Sequence, residues 1–141
     1  FQADIEAAIS IPLLSMIDAT ADAAVAQGAE RVGVLAADGC RRARLYHRAF
    51  AERDVEALFL PDEGQLDFMA LLYRIKAGDV GDDVRRRMAA MALSLNARGA
   101  QAVVAACTEV PLVLSPDTLA APVVSSTDAL VARAVEFARG K

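Results

Sequence analysis

The residues best suited to chemistry in this chain are Cys107, Thr108 and Glu109, which follow the apolar run AQAVVAA at residues 100–106. A cysteine in an apolar run is usually a small buried hydrophobe, but Cys107 ends its run, and a polar pair and Pro111 follow it. Such residues are typical of a first helical turn, where free N–H groups lower a thiol pKa from about 8.5 or hold a carboxylate. The pattern therefore predicts a thiol that acts as a base.

Other residues with reactive or polar side chains each have an ordinary structural explanation. Cys40 follows Gly39 in AADGC beside two arginines, and we interpret it as structural. The pattern around His47, between Tyr46 and Arg48, favours a surface or packing role. Lys76 in LLYRIKAG has the position of a helix C-terminal lysine. The run at 125–127, SST, is suited to capping the last helix.

These residues must be positioned by short apolar runs that alternate with longer segments of helical period. The apolar runs predict strands at residues 11–16, 31–36, 56–61, 100–107 and 122–126. Helices are predicted between and after them, over residues 18–28, 38–54, 63–76, 82–97 and 127–140. The run at 100–107 is nearly all apolar, which is typical of a strand buried on both faces.

Alternation of strands and helices predicts an α/β fold, a parallel sheet with helices on both faces. Ligands of such folds bind beyond the carboxyl ends of the strands. That edge would carry residues 15–18, 37–40, 107–109 and 125–127, so function is expected there.

Composition limits the classes of partner that this chain is expected to bind. The 141 residues are 55% hydrophobic and 24% charged, which fits a single globular unit. No apolar run reaches the roughly 18–20 residues of a spanning helix, and the first residues lack the basic region of a signal peptide. The net charge is −4 and Trp is absent, which disfavours nucleic acid. Two distant cysteines and one histidine disfavour a zinc site and indicate a reducing, cytoplasmic location. Small molecules are therefore the expected partners.

Four ordered segments, taken together, resemble the aspartate/glutamate racemase superfamily, in its aspartate racemase branch. GAQAVVAACTEVPLVL is similar to the family's second cysteine motif, and LLYRIKAGD to its Tyr-x-x-(Ile/Val)-Lys-x-Gly element. RVGVLAADGCRRARLYHRAF resembles its Ala-Thr-x-Gly-Thr strand–turn–helix, and ISIPLLSMIDATADAA the segment that opens its second half.

The resemblance implies a racemase without cofactor, in which two α/β lobes face each other and each contributes one catalytic cysteine. Cys107 would be one of the two bases, Thr108 would help to hold the substrate carboxylate, and Lys76 would bind the distal carboxylate of aspartate or glutamate. Glu109 belongs to the motif without a firm role.

The same resemblance divides the chain. Residues 17–122 would form the second lobe, and residues 1–16 and 123–141 would be flanking segments that pack with the first lobe. The family's other cysteine lies upstream of the region that matches Phe1, so these 141 residues alone are expected to be inactive. Family members are commonly dimers, and the resemblance leaves the oligomeric state of this chain open.

Departures from the family pattern keep alternatives open. Ala37 and Cys40 stand where the family has two threonines, and Ser125 stands where it has an aspartate. One alternative is a one-cysteine enzyme of the superfamily: a decarboxylase, a hydantoin racemase or a maleate isomerase. Another is a non-catalytic α/β binding domain with an inert Cys107. A nucleotide-binding domain is disfavoured because no Gly-x-Gly-x-x-Gly or Walker-type loop follows a strand.

Overall fold

The computed structural model describes residues 2–140, and its centre is one parallel sheet. The strands are β1 (Arg31–Leu35), β2 (Glu56–Phe59), β3 (Ala102–Ala105) and β4 (Val123–Ser125), in the order β2-β1-β3-β4. In register, Leu35 of β1 lies opposite Ala105 of β3, which in turn lies opposite Ser125 of β4. Four of the five predicted strands are confirmed.

The described residues form seven helices, most of which pack around the sheet. They are α1 (Gln2–Ala8), α2 (Met16–Val25), α3 (Asp38–Arg42), α4 (Leu45–Ala51), α5 (Asp62–Lys76), α6 (Asp82–Ala97) and α7 (Ser126–Ala138). Helices α2, α4 and α7 pack on one face of the sheet. On the other face, α6 packs against β1 and β3, and α5 packs against α6. This arrangement confirms the predicted α/β class.

The strand residues alternate between the two cores, as the two-residue repeat of a strand requires. Val32 and Val104 point toward α2 and α4, whereas Leu35 and Val103 point toward α5 and α6. Gly33 lets α6 approach the sheet, since a Cβ atom at this position would lie 2.7 Å from the Leu95 Cβ. The burial of β3 on both faces is confirmed, with all four residues buried.

Three local predictions were wrong or incomplete. Residues 11–16 do not form a strand: residues 9–15 lie outside regular structure, and α2 begins at Met16. No strand in residues 2–140 pairs with this run, Pro12 lacks an amide donor, and residues 11–13 are exposed. The single helix predicted over 38–54 is two, because Arg44 adopts a left-handed conformation with φ 55°. Helix α1 was not predicted at all.

One ion-pair network joins the helices on the α2 face. The Asp22 carboxylate of α2 accepts a 2.7 Å hydrogen bond from Arg53 Nε and a 2.6 Å bond from Arg133 Nη2 of α7. Burial alone would raise the pKa of Asp22, but these two arginines outweigh it and lower the pKa below its ordinary value. The network therefore ties α7 to α2 and to the turn after α4.

The topology also indicates where a ligand would bind. The chain runs from β1 outward to β2 and then returns to β3 on the other side of β1. A crevice forms at such a reversal, beyond the carboxyl ends of the two central strands. In this chain the residues after Leu35 and after Ala105 would flank it, since β1 and β3 are neighbours in the sheet. Within the described residues, no helix is long and apolar enough to cross a membrane.

Candidate active site

Cys107 lies at the predicted edge, two residues beyond the end of β3. Its side chain is partly buried, and it packs against the core on the α5 and α6 side. Thr108 is exposed, whereas the Glu109 side chain is only 19% exposed. The buried strand thus presents the thiol at the crevice with a carboxylate two residues further along.

The thiol and the carboxylate are in direct contact. Cys107 Sγ donates a hydrogen bond of 2.9 Å to Glu109 Oε2, and the Thr108 hydroxyl donates to the same oxygen at 3.1 Å. The bond from Cys107 lowers the pKa of Glu109 below its ordinary value; Thr108 and the nearby Lys76 charge assist, and burial opposes. The pair therefore holds one proton on sulfur and one negative charge on Glu109.

The expectation of an acidified thiol was wrong. Burial, followed by the hydrogen bond and the negative charge of the Glu109 side chain, raises the pKa of Cys107 to about 11, and the Glu109 backbone amide and the Lys76 charge offset this only in part. The predicted helix is also missing, because residues 110–112 form a single 3-10 turn. A turn this short lacks the aligned peptide dipoles of a helix, and the Glu109 amide, which lowers the Cys107 pKa, does not outweigh burial.

Lys76 joins the same cluster from a different element. It is the last residue of α5, and its Nζ lies 3.6 Å from Glu109 Oε1. Its side chain is 55% exposed, so the ammonium group remains open to a ligand. The structure therefore brings Cys107, Thr108, Glu109 and Lys76 together, from segments more than thirty residues apart.

The turn after β1 forms the other side of the crevice and offers no hydroxyl group. Ala37 precedes α3 without a side-chain cap, and Cys40 packs partly buried in the core beside α2 and α4. Burial raises the pKa of the Cys40 thiol. Instead of the family's threonines, Gln65 organises this turn, since its Nε2 donates to the Ala36 carbonyl at 3.1 Å and to Asp38 Oδ1 at 2.8 Å.

The remaining sequence predictions at this edge have structural outcomes. Ser125 caps α7, accepting from the Asp128 amide at 3.2 Å. The predicted packing role of His47 is confirmed, since its ring stacks on Phe59 with centroids 3.9 Å apart. Ser15 caps α2, and its Oγ accepts from the Asp18 amide, so the segment 15–18 carries a helix start rather than a strand end.

Sequence reasoning missed two buried polar groups at this edge. Tyr46 is 1% exposed; burial is the main cause of its raised pKa, and both cysteine thiols lie close enough to contribute. Ser126 is equally buried, with an exposed fraction of 1%. Tyr46 was visible only as part of a motif, and no spacing signal distinguished Ser126 from its neighbours.

The comparisons with known proteins agree with this geometry. The family model for Asp/Glu/hydantoin racemases matches residues 1–134. Among curated proteins, the chain is similar to the "uncharacterized protein in pnlA 3′ region" of Pectobacterium carotovorum subsp. carotovorum. The two are 28% identical over 127 residues, which cover 89% of this chain and 84% of the relative.

Solved structures show the same fold. A Yersinia pestis protein assigned as an Asp/Glu racemase superposes with a TM-score of 0.89 at 26% identity, over 97% of this chain and 60% of its own. The Picrophilus torridus aspartate racemase gives a TM-score of 0.76 at 26% identity, over 91% and 53%. An aspartate racemase homologue from Pyrococcus horikoshii OT3 superposes with a TM-score of 0.87 at 20% identity, over 98% of this chain and 61% of its own. At this identity the likeness shows the fold alone.

The chain therefore spans little more than half the length of these solved relatives. The matched model covers nearly all of its residues, and the cysteine motif follows β3 at the carboxyl edge of the sheet. The chain belongs to the Asp/Glu/hydantoin racemase family.

Proposed function

We propose that this chain supplies one catalytic half of an amino-acid racemase that works without pyridoxal phosphate. The observation that carries the proposal is the contact among Cys107 Sγ, the Glu109 carboxylate and, beyond it, Lys76 Nζ at the crevice. Racemisation needs a base on one face of the α-carbon and an acid on the other. A thiol and thiolate pair fills both roles, and the two exchange roles for the opposite enantiomer.

The state of Cys107 assigns its role in the resting site. With a pKa of about 11, only roughly one thiol in ten thousand is ionised at pH 7. Cys107 therefore acts first as the acid. A thiolate on the opposite wall removes the α-proton, the electron pair of the C–H bond remains on the substrate carbanion, and the Cys107 S–H proton completes the new bond.

After this transfer Cys107 is a thiolate beside Glu109, and its high pKa then has a use. The α-proton of an amino acid is very weakly acidic, so its removal in the reverse direction requires a strong base. A desolvated thiolate next to a carboxylate is a stronger base than a free one. Glu109 thus keeps the resting thiol protonated and strengthens the thiolate once it has formed.

Lys76 favours a substrate with an acidic side chain. Its half-exposed ammonium group is held near the thiol by a single 3.6 Å pairing with Glu109. The distal carboxylate of aspartate or glutamate would bind the same ammonium group, while the Thr108 hydroxyl and amide would contribute to holding the α-carboxylate. Aspartate and glutamate are therefore the proposed substrates.

The second thiol of this mechanism lies outside these residues. We assign residues 17–122 to the second lobe, and residues 1–16 and 123–141 to segments that pack against a first lobe. Apolar side chains left exposed on these segments support this division: Ile5 is 46% exposed, Ile11 71%, Val131 57% and Phe137 51%. A lobe that covers these side chains would remove them from water.

The proposed location is cytoplasmic, and a homodimer is compatible with the proposed mechanism.

One observation favours a second candidate within the family, a hydantoin racemase. The turn after β1 has lost both hydroxyls, with Ala37 and a half-buried Cys40 in their places. A less polar turn suits a cyclic, uncharged substrate better than a carboxylate. Assays with a 5-substituted hydantoin beside aspartate and glutamate separate the two candidates.

The test is α-proton exchange of aspartate and glutamate in deuterated water, catalysed by the full-length gene product. Replacing Cys107 with alanine should reduce exchange at least about a hundredfold, the usual contribution of a general acid or base. Cys40→Ala is the matched control, since it removes the other thiol described here. Equal activity of the two variants would contradict the proposal.

A further inference from the structure

A second cavity lies on the same sheet edge, beyond the carboxyl ends of β1 and β2. Its volume is about 620 Å³. We propose that this cavity binds a small molecule bearing a phosphate group. The residues that line it come from the α3–α4 segment and from the start of α5: Asp38, Arg41, Arg42, Arg44, His47, Asp62, Gln65 and Leu66. None of the four residues proposed for catalysis lines it, although Asp38 and Gln65 also belong to the turn after β1, and the inference does not depend on the proposed function.

The cavity carries positive charge that the protein does not neutralise. Arg41 pairs with Asp62 at 2.9 Å, which accounts for one guanidinium and one carboxylate. Arg42 and Arg44 are exposed, and neither guanidinium group forms an ion pair or hydrogen bond with another described residue. Two free guanidinium groups on one wall match the geometry of a phosphate, which they bind through paired, charge-assisted hydrogen bonds.

The carboxylates at the cavity do not compete for those two arginines. Asp38 accepts a 2.8 Å hydrogen bond from Gln65, and Asp62 is paired with Arg41. The charged groups that line the cavity are thus three guanidinium groups and two carboxylates, each carboxylate with its own donor. A dianion placed between Arg42 and Arg44 would meet a net positive surface.

The His47 ring lines the cavity beside the arginines. The His47 ring stacks on Phe59 with an interplanar angle of 9°, and its Nδ1 is buried without a hydrogen-bond partner among residues 2–140. Leu66 adds an apolar side chain that is 71% exposed. Small-molecule sites of this size typically combine apolar walls with a few polar groups that fix orientation.

The backbone on both sides of the cavity is fixed before any ligand arrives. Arg44 caps the start of α4 with φ 55° and ψ 33°, a conformation that costs a residue such as arginine free energy and is often found at functional sites. On the facing side, the buried Gln65 side chain fixes the turn after β1 through its two hydrogen bonds. The backbone that carries the cavity is therefore ordered by contacts within the chain, and the two guanidinium groups remain free to bind an anion.

The test uses His47, because it is the one histidine of the sequence and its ring resonances are unambiguous. Burial, then the Arg44 and Arg41 charges, lower the pKa of His47. Inorganic phosphate is titrated into the 141-residue chain at constant ionic strength, with chloride as the exchanged ion, and the His47 pKa is followed by NMR. Bound phosphate should raise that pKa by roughly one pH unit, because the negative charge of the bound anion offsets the arginine charges.

Variants decide whether the effect belongs to the cavity. Arg42→Gln should weaken phosphate binding about fivefold, since it removes one charge-assisted contact without removing a charge that lowers the His47 pKa. Arg139→Gln makes the same charge change outside the cavity and should leave binding unchanged. A wild-type pKa that does not respond to roughly millimolar phosphate would overturn the proposal. Equal weakening by both variants, or equal binding of succinate, would also overturn it.

Discussion

Replacing Glu109 with glutamine should make the Cys107 thiol more acidic. The thiol pKa is raised from 9.0 to about 11, first by burial and then by the hydrogen bond and charge of Glu109. Glutamine keeps the shape of the side chain but removes the charge, while burial remains. We therefore expect the pKa to fall by roughly one unit and to stay above that of a free cysteine.

The expected change in reactivity is smaller than the change in ionisation. A fall of one unit gives about ten times more thiolate near pH 7.5, but each thiolate becomes about threefold less nucleophilic. The net alkylation rate should rise about threefold. The rate of Cys107 is measured against pH with iodoacetamide, and peptide mapping by mass spectrometry reports Cys40 from the same samples as an internal reference.

Two further variants make the test specific. Glu136→Gln on α7 removes a carboxylate far along the chain and should leave the Cys107 pKa unchanged. Lys76→Gln should move that pKa in the opposite direction, upward, because the Lys76 charge lowers it. If Glu109→Gln left the Cys107 pH profile where it was, or raised the pKa, the assignment of the proton to sulfur would be refuted.

Three predictions concern stability. Gly33→Ala should cost roughly 1–3 kcal/mol in urea unfolding, because the new Cβ would clash with Leu95 on α6. Gly39→Ala, in open space on α3, should cost less than about 0.5 kcal/mol. The folded Cys107 thiol binds its proton more tightly than the unfolded one, so its contribution to the free energy of unfolding is present below pH 9 and is lost as the pH rises toward 11. Compared with Cys107→Ala, the wild-type chain should lose roughly 1 kcal/mol over this range, after allowance for solvent screening. The folded pKa of Asp22 is lowered, so the stability from this carboxylate is present above its unfolded pKa near 4 and is lost as the pH falls. In thermal unfolding, Asp22→Asn should make the melting temperature depend less on pH below about 4.

The sheet and most helices could be predicted because local patterns and tertiary structure agree. The β1, β2, β3 and β4 runs are apolar and bounded by turn residues, and each finds a neighbour in the same chain. Residues 11–16 carry the same kind of apolar pattern but have no neighbouring strand within residues 2–140. A strand is defined by pairing as well as by composition, and composition alone cannot supply the partner.

The break at Arg44 was hidden for a related reason. Arginine is a good helix former, so nothing in the residue types from 38 to 54 marks the left-handed conformation that ends α3 and starts α4. Tertiary packing imposes it, since Tyr46 and Phe50 of α4 must reach the core beside the sheet. Propensity is a weak guide where burial on a fixed surface decides the path of the backbone.

The members of the candidate site were predictable, but their electrostatics were not. The motif identified Cys107, Thr108, Glu109 and Lys76, and the fold brings them to one place. The sign of the Cys107 pKa shift depends on the balance between burial and Glu109 on one side and the Glu109 amide and Lys76 on the other, which a linear sequence does not state. Burial raises the pKa most, and the 2.9 Å contact with Glu109 adds to that rise.

The two-thiol mechanism requires that Cys107 alone cannot racemise an amino acid, because the second catalytic thiol lies on the other lobe. The direct measurement is deuterium incorporation at the α-carbon together with inversion, using the purified 141-residue chain with L- and D-aspartate in deuterated water. We expect no inversion above the buffer background. Sustained inversion of aspartate by this chain alone would contradict the two-thiol mechanism.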